Sequence, residues 1–295
     1  MKLPLKSRLI AAQKLKNAHW ETIELDYTLS LILVAIARHP LAAKSLIFKG
    51  GTALKKCYFG SQYRFSQDLD FTLVGDLSNT DLDQIIIEIT KQAGNVANSY
   101  DQNISFTVKT YREQEPHPHD QQAYIIKVQL PWHSQPLTKI KLEISRDELI
   151  LKPTVLRNIM HEYGEHVKEQ LPVYALEEIL AEKYRGLLQN QQKLQQKTWI
   201  RSRVRDFYDL WHILEQFRDE LDLTNFQNLV VQKCRYKGIE FSDPDQFFAP
   251  NYLQRIKPDW QQFLSALIEN LPEFDELVNK LKVLTAEVFL GKKNG

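Results

Sequence analysis

The sequence predicts an α+β protein in which an N-terminal mixed β-sheet with flanking helices is followed by a C-terminal subdomain of helices alone. Three observations carry this reading. Leu46-Ile47-Phe48 is a short apolar segment that runs into Gly50-Gly51-Thr52 and then into a helical pattern from Ala53 to Tyr58. Residues Asp68 to Leu73 alternate polar and apolar. Beyond Val173 the apolar spacing is helical, without alternation of strand type.

Residues 18–39 read as a helix, because Trp20, Ile23, Tyr27, Leu31 and Val34 recur at helical spacing before Pro40 stops the run. The strand, glycine turn and helix of residues 46–58 come next. In the alternating strand Asp68, Asp70 and Thr72 share one face, and Leu69, Phe71 and Leu73 share the other. Asp81 to Ala97 is an amphipathic helix through Leu82, Ile85, Ile86 and Ile89, followed by strands at Ile104 to Tyr111, Ala123 to Leu130 and Lys139 to Ser145. Later helices are expected at Ala175 to Leu194, Arg203 to Phe217, Leu223 to Cys234 and Trp260 to Leu290. A boundary near residues 160–172 gives a first domain over 1–165 and a second over 166–295. His117 and His119 lie in the Pro-broken polar loop Glu113 to Asp120 and read as surface residues.

Composition narrows the function classes. The chain has 295 residues, 43% of them hydrophobic, which is enough for a sizeable core. With 38 Lys and Arg against 37 Asp and Glu the net charge is +1, so any nucleic-acid site must be a local patch. Cys57 and Cys234 stand far apart in no metal-binding spacing, which fits a reducing cytoplasm. The apolar run Leu31 to Ala37 is much shorter than the roughly 20 residues of a membrane span, and the first residues lack the apolar core of a signal peptide.

The chemistry concentrates in carboxylates. Asp68 and Asp70 point to one side of their strand, where they can hold a hard divalent cation such as Mg²⁺ or simply stay solvated. Gly50-Gly51, between a strand and a helix, offers backbone N–H groups to a phosphate or makes only a tight turn. In Lys139 to Ile144 the apolar face is Ile140, Leu142 and Ile144, so Glu143 is turned the other way. Beside the Asp68 strand it is a third carboxylate for a two-metal phosphoryl-transfer site; elsewhere it is a surface glutamate.

The string FKGGTALKKCYFGSQYRFSQDLDF (Phe48 to Phe71) resembles the first motif of the AbiEii/AbiGii nucleotidyltransferase toxins, the family that includes the MenA and MenT toxins, within the polymerase-β-like nucleotidyltransferase fold. LEEILAEKYRGLL (Leu176 to Leu188) and RVRDFYDLWHIL (Arg203 to Leu214) resemble its later motifs in the same order. Gly50-Gly51 replaces the Gly-Ser of the wider superfamily, so a hydroxyl donor to the phosphates is missing unless Thr52 supplies it. The resemblance implies that Asp68 and Asp70 hold catalytic metals, that Lys183 contacts the triphosphate, that Asp206 has a functional role, and that the helical domain closes the cleft. By residue chemistry alone Lys183 is also an ordinary helix lysine, and Asp206 also a helix-start carboxylate, with Asp209 as an understudy.

From Lys183 to Arg205 there are seven Lys and Arg and no Asp or Glu, so the rest of the chain sums to −6. Lys197, Arg201, Arg203 and Arg205, with Trp199 among them, are either an RNA contact or a solvated charged face. The sequence thus leads to a cytoplasmic, Mg²⁺-dependent toxin that transfers NMP from an NTP to RNA, with the tRNA 3′ end as the acceptor the resemblance implies and a cognate antitoxin as partner. Two other readings stay open: nucleotidylation of a protein hydroxyl, and a catalytically silent RNA- or partner-binding module.

Overall fold

The computed structural model describes residues 3–111, 121–196 and 202–290. Its strands are β1 (Leu46–Lys49), β2 (Asp68–Leu73), β3 (Ser105–Tyr111), β4 (Gln121–Gln129), β5 (Thr138–Ser145), β6 (Val155–Asn158) and β7 (Gln170–Val173). They form one seven-stranded sheet in the order β3-β4-β5-β2-β1-β7-β6. The sheet is mixed, since β2 runs antiparallel to β1 and parallel to β5, while β1 runs parallel to β7. The chain divides into two compact units, Met1–Glu148 with Thr154–Tyr174, and Leu149–Pro153 with Ala175–Gly295. All the strands belong to the first unit, and the second is helical, so the α+β class holds.

Alternation gives the sheet two unlike faces. Phe48, Leu69, Phe71, Tyr124, Ile126, Val128, Ile140, Leu142 and Ile144 are buried on one, with Phe48 and Phe71 stacked at 4.9 Å between ring centroids. The helices Trp20–Arg38 and Asn79–Ser99 pack on that face. The second helix is anchored by a capping box: the Ser78 hydroxyl accepts the Asp81 N–H, and the Asp81 carboxylate accepts the Ser78 N–H. This cap sets its start at Asn79, ahead of the first apolar residue of the pattern.

The Trp20–Arg38 helix is buried around nearly its whole circumference, including Glu24, Asp26, Thr28 and Ser30. Burying Asp26 requires a partner. Lys56 supplies it, with Nζ 2.7 Å from Asp26 Oδ2 and 3.0 Å from Ser30 Oγ, and the Tyr163 hydroxyl donates to Asp26 Oδ2 at 2.7 Å. Burial pushes the Asp26 carboxyl up, and the ammonium groups of Lys56 and Lys55 more than offset this, leaving it below the usual carboxylate range. Glu165 is held alongside by Arg8 at 2.5 Å and by His161 at 3.0 Å.

Several elements depart from the sequence pattern. A helix at Leu5–Lys16 and the strands β6 and β7 are additional. The strands are four residues each, too short to show a period, and β7 contains Pro172. The helix after β1 starts at Gly50 and continues as a π-helical stretch, Leu54–Phe59, rather than restarting at Ala53. The expected helix at Leu223 starts at Phe226, after Asn225 takes a left-handed conformation (φ 58°). The long helix expected over Trp260 to Leu290 is two helices, Asp259–Leu264 and Phe274–Leu290. Pro272 breaks the ladder between them, and its carbonyl accepts the Trp260 indole N–H at 2.8 Å.

Removing Lys56 alone strands a buried carboxylate. Lys56→Met is expected to lower unfolding stability by about 3–5 kcal/mol, and Asp26→Asn in the same chain to recover part of that loss. Denaturant midpoints measure both; a Lys56→Met protein as stable as the parent would show that Asp26 does not depend on this cation.

Candidate active site

In the sheet-bearing unit the site grows from the three-strand register β1-β2-β5. Asp70 lies opposite Lys49 on β1 and beside Glu143 on β5, and Asp68 lies beside Lys141. Because β2 and β5 are parallel and in register, Asp70 and Glu143 emerge on the same face as Asp68, opposite the core. Glu143 is 8% exposed and its Oε1 lies 2.8 Å from Lys141 Nζ. The sequence-predicted trio is therefore brought to one sheet face.

Gly50 follows β1 with φ +78°, a conformation that side-chain-bearing residues rarely adopt. A Cβ there would stand 2.6 Å from Asp70 Oδ2. The Asp70 carboxylate thus rests against the Gly50 backbone, and the glycine is required twice over, by φ and by space. At Gly51 a Cβ would stand 2.7 Å from Arg64 Nη2 and 3.3 Å from Ser66 Oγ. Arg64 is 5% exposed, and its guanidinium also donates to the Phe65 carbonyl at 3.1 Å. Sequence reasoning passed over this arginine, since nothing in its spacing marks it. The Gly50-Gly51 backbone therefore has a carboxylate on one side and a guanidinium on the other, the surroundings of a cation and of an anion respectively.

Thr52 is buried, and its hydroxyl is engaged within the fold. It donates to the Asp68 carbonyl and shares a 2.7 Å hydrogen bond with the Ser66 hydroxyl. It pins the start of β2 under the glycine turn. Farther along, the Tyr174 hydroxyl meets Thr72 Oγ1 at 2.6 Å, and the Tyr58 hydroxyl donates to the Tyr174 carbonyl at 2.5 Å, so the π-helical stretch, β2 and the end of β7 are tied together.

Among the described residues no group of three His, Cys, Asp or Glu side chains converges closely enough to hold a metal ion. The donor chemistry of the face nonetheless fits a hard divalent cation, because Asp68, Asp70 and Glu143 are all oxygen ligands on adjacent, registered strands. In this arrangement Glu143 is neutralised by Lys141.

The second cluster is in the helical unit. Lys183, on the helix Leu176–Gln196, is 7% exposed. Its Nζ lies 2.8 Å from Asp206 Oδ1 and 2.6 Å from Asp209 Oδ2, both on the helix Val204–Gln216. The other Asp206 oxygen takes Arg203 at 3.2 Å. Lys183 is therefore not a solvated helix lysine, and the Asp206 carboxylate is spent on cations rather than on capping its helix. Burial pushes the Asp206 carboxyl up, but Lys183 and Arg203 outweigh it and leave it below the usual carboxylate range. Asp209, fully buried, is an equal partner in the clamp, which its central place in an apolar helix pattern disguised. Nearby, buried Glu178 accepts the backbone N–H groups of Leu151 and Lys152 at 3.1 and 2.9 Å and pairs with Lys233.

Of the basic run, Lys197 and Arg201, with Trp199, lie outside the described residues, as do His117 and His119. Arg203 is paired with Asp206, and Arg205 is half-buried.

The family described as nucleotidyl transferase AbiEii toxin, type IV TA system, matches residues 31–280. Among solved structures the fold is similar to that of MenT4, a nucleotidyltransferase toxin from Mycobacterium tuberculosis H37Rv, with a TM-score of 0.66 over 99% of this chain and 91% of that one, at 20% sequence identity. A comparison with curated proteins finds no match.

The clamp has a pH signature. A carboxyl whose pKa is depressed on folding contributes stability above its unfolded value of about 4 and loses it as pH falls through the folded value. Lys183→Met is expected to cost about 3–5 kcal/mol near neutral pH, and the gap to the parent should narrow below about pH 4 as Asp206 protonates. Denaturant titrations at several pH values measure the gap; one that stays constant down to pH 3 would contradict the clamp.

Proposed function

Because this chain belongs to the AbiEii family of nucleotidyltransferase toxins, of type IV toxin–antitoxin systems, and is on that ground a nucleotidyltransferase, we propose that it transfers a nucleoside monophosphate from an NTP to an RNA hydroxyl, with the tRNA 3′ end as acceptor. The family implies an NTP substrate and an antitoxin partner. The observation that carries the reading is the placement of Asp68 and Asp70 on one strand face with the Gly50 backbone against Asp70. No helix among the described residues is long and apolar enough to cross a membrane, and Cys57 and Cys234 are free thiols, which supports work in the cytoplasm.

In this reading the acceptor oxygen attacks the α-phosphorus in line, the new P–O bond forming as the bond to the departing pyrophosphate breaks. Asp68 and Asp70, with Glu143 once released by Lys141, are the residues that would hold Mg²⁺, which supplies neutralisation of the charge spread over the transferring and leaving phosphates. The N–H groups of Gly50 and Gly51 cradle phosphate oxygens, with Arg64 adding positive charge beside them. Thr52 serves by fixing the Asp68 backbone. Lys183, in the helical unit, is the residue that the family resemblance assigns to the triphosphate, and Asp206 and Asp209 hold its ammonium in place. Lys197, Arg201, Arg203 and Arg205 are the sequence-derived candidates for RNA contact, with Arg203 committed in part to Asp206.

The test is label transfer from each NTP into total RNA and, separately, into total protein. Label in RNA is expected. Asp70→Asn should stay folded, with an equal or slightly higher melting temperature because it relieves carboxylate repulsion, yet lose about 100-fold or more of the transfer rate. Label confined to protein bands would replace the RNA acceptor by a protein hydroxyl, and full transfer by Asp70→Asn would remove the carboxylates from the mechanism.

A further inference from the structure

The sheet face that carries Asp68 and Asp70 continues across β5, β4 and β3. Its register can be read in rows. One row is Asp70, Glu143, Ala123 and Tyr111; the next is Asp68, Lys141, Ile125 and Lys109; the third is Lys139, Lys127 and Thr107. Four lysines on three neighbouring strands therefore fill two adjacent rows, and beyond Asp68 those rows hold no carboxylate.

The face is open where the lysines stand. Lys109, Thr107 and Lys139 are exposed, Lys127 and Lys141 partly so, and Tyr111 is 42% exposed. Lys141 pairs with Glu143 and lies over the Tyr111 ring at 5.4 Å. Among the described residues no ion-pair partner stands against Lys109, Lys127 or Lys139.

Folding alone does not account for this pattern. Lys127 and Lys139 are directly opposite across a strand pair, where like charges destabilise, and neighbouring strands are only about 4.8 Å apart. An edge strand needs a charge or two to discourage pairing, not a block of four spread over three strands. A polyanion relieves the repulsion. The lysines offer point charges for phosphates, Tyr111 offers a ring face for a base, and the rows lead directly to the carboxylates. An acidic protein segment would match the charge but leaves the ring and the graded approach to Asp68 and Asp70 unexplained.

We propose that this lysine-bearing face of β3, β4 and β5 grips the phosphate backbone of the acceptor RNA and leads its reactive end to Asp68 and Asp70. The inference rests on the RNA reading above and places the grip on the sheet in addition to the basic run at residues 183–205.

The experiment compares the full chain with Lys109→Gln/Lys127→Gln/Lys139→Gln and with the corresponding triple Arg variant. Binding of bulk tRNA is measured over a salt series without NTP, and label transfer to tRNA is measured with it. In the Gln variant the slope of log K against log[salt] should fall by about 2 to 3, and affinity near physiological salt by about tenfold or more. NTP affinity should be unchanged, the melting temperature equal or higher, and the Arg variant should restore tRNA binding. A Gln variant that keeps the parental salt slope and transfer rate would overturn the surface while leaving the RNA acceptor in place. A parent that neither binds nor labels RNA would overturn both, and that result is visible before any variant is made.

Discussion

The site depends on the contact between the Asp70 carboxylate and the bare backbone of Gly50. Strand β2 is held between β1 and β5, so Asp70 has a neighbour on each side: the end of β1, where the chain turns, and Glu143. Only a residue without a side chain and able to adopt φ +78° can occupy the turn at that distance from Oδ2. Thr52 then ties the helix start to the Asp68 carbonyl, and Tyr58, Tyr174 and Thr72 fasten the following turn to the sheet. These bonds fix the carboxylates through backbone and buried hydroxyls rather than through mobile side chains, which is the rigidity that positional catalysis requires.

Buried charge is used in two ways. Asp26 with Lys56 joins the Trp20–Arg38 helix to the stretch after the glycine turn, deep in the first unit, where the pair is isolated from water and serves cohesion. Lys183 with Asp206 and Asp209 is built differently, since one ammonium meets two carboxylates and Arg203 offsets part of the surplus negative charge. Such a cluster fixes the ammonium between two carboxylates on the neighbouring helix, where the lysine would otherwise swing through solvent. The open face of β3, β4 and β5 is the opposite case, in which Lys109, Lys127 and Lys139 have no ion-pair partner among the described residues, while Lys141 is held by Glu143.

Much of this was legible in the sequence because its signals are local. Alternation in Asp68 to Leu73 and in Lys139 to Ile144 gave each side chain its face, and the strand, glycine turn and helix order placed Gly50 at the end of β1. What alternation cannot supply is which strand neighbours which. That Glu143 lies beside Asp70, and that Lys109, Lys127, Lys139 and Lys141 form adjoining rows, follows from a register created by long-range pairing. Arg64 was passed over and Asp209 ranked behind Asp206 for the same reason: their roles come from what lies across from them, not from their spacing. The short strands β6 and β7 and the break at Pro272 show the limit of periodicity, which needs several residues to register and cannot weigh a single proline against a long apolar pattern.

The most direct test of the account is Mn²⁺ binding followed by electron paramagnetic resonance in the presence of a non-hydrolysable NTP. The parent is expected to bind Mn²⁺, with affinity reduced about tenfold or more in Asp68→Asn and in Asp70→Asn and unchanged in Lys139→Gln. Equal Mn²⁺ affinity in the parent and both Asn variants would contradict the claim that the carboxylate face of β2 is the metal-holding centre of nucleotidyl transfer.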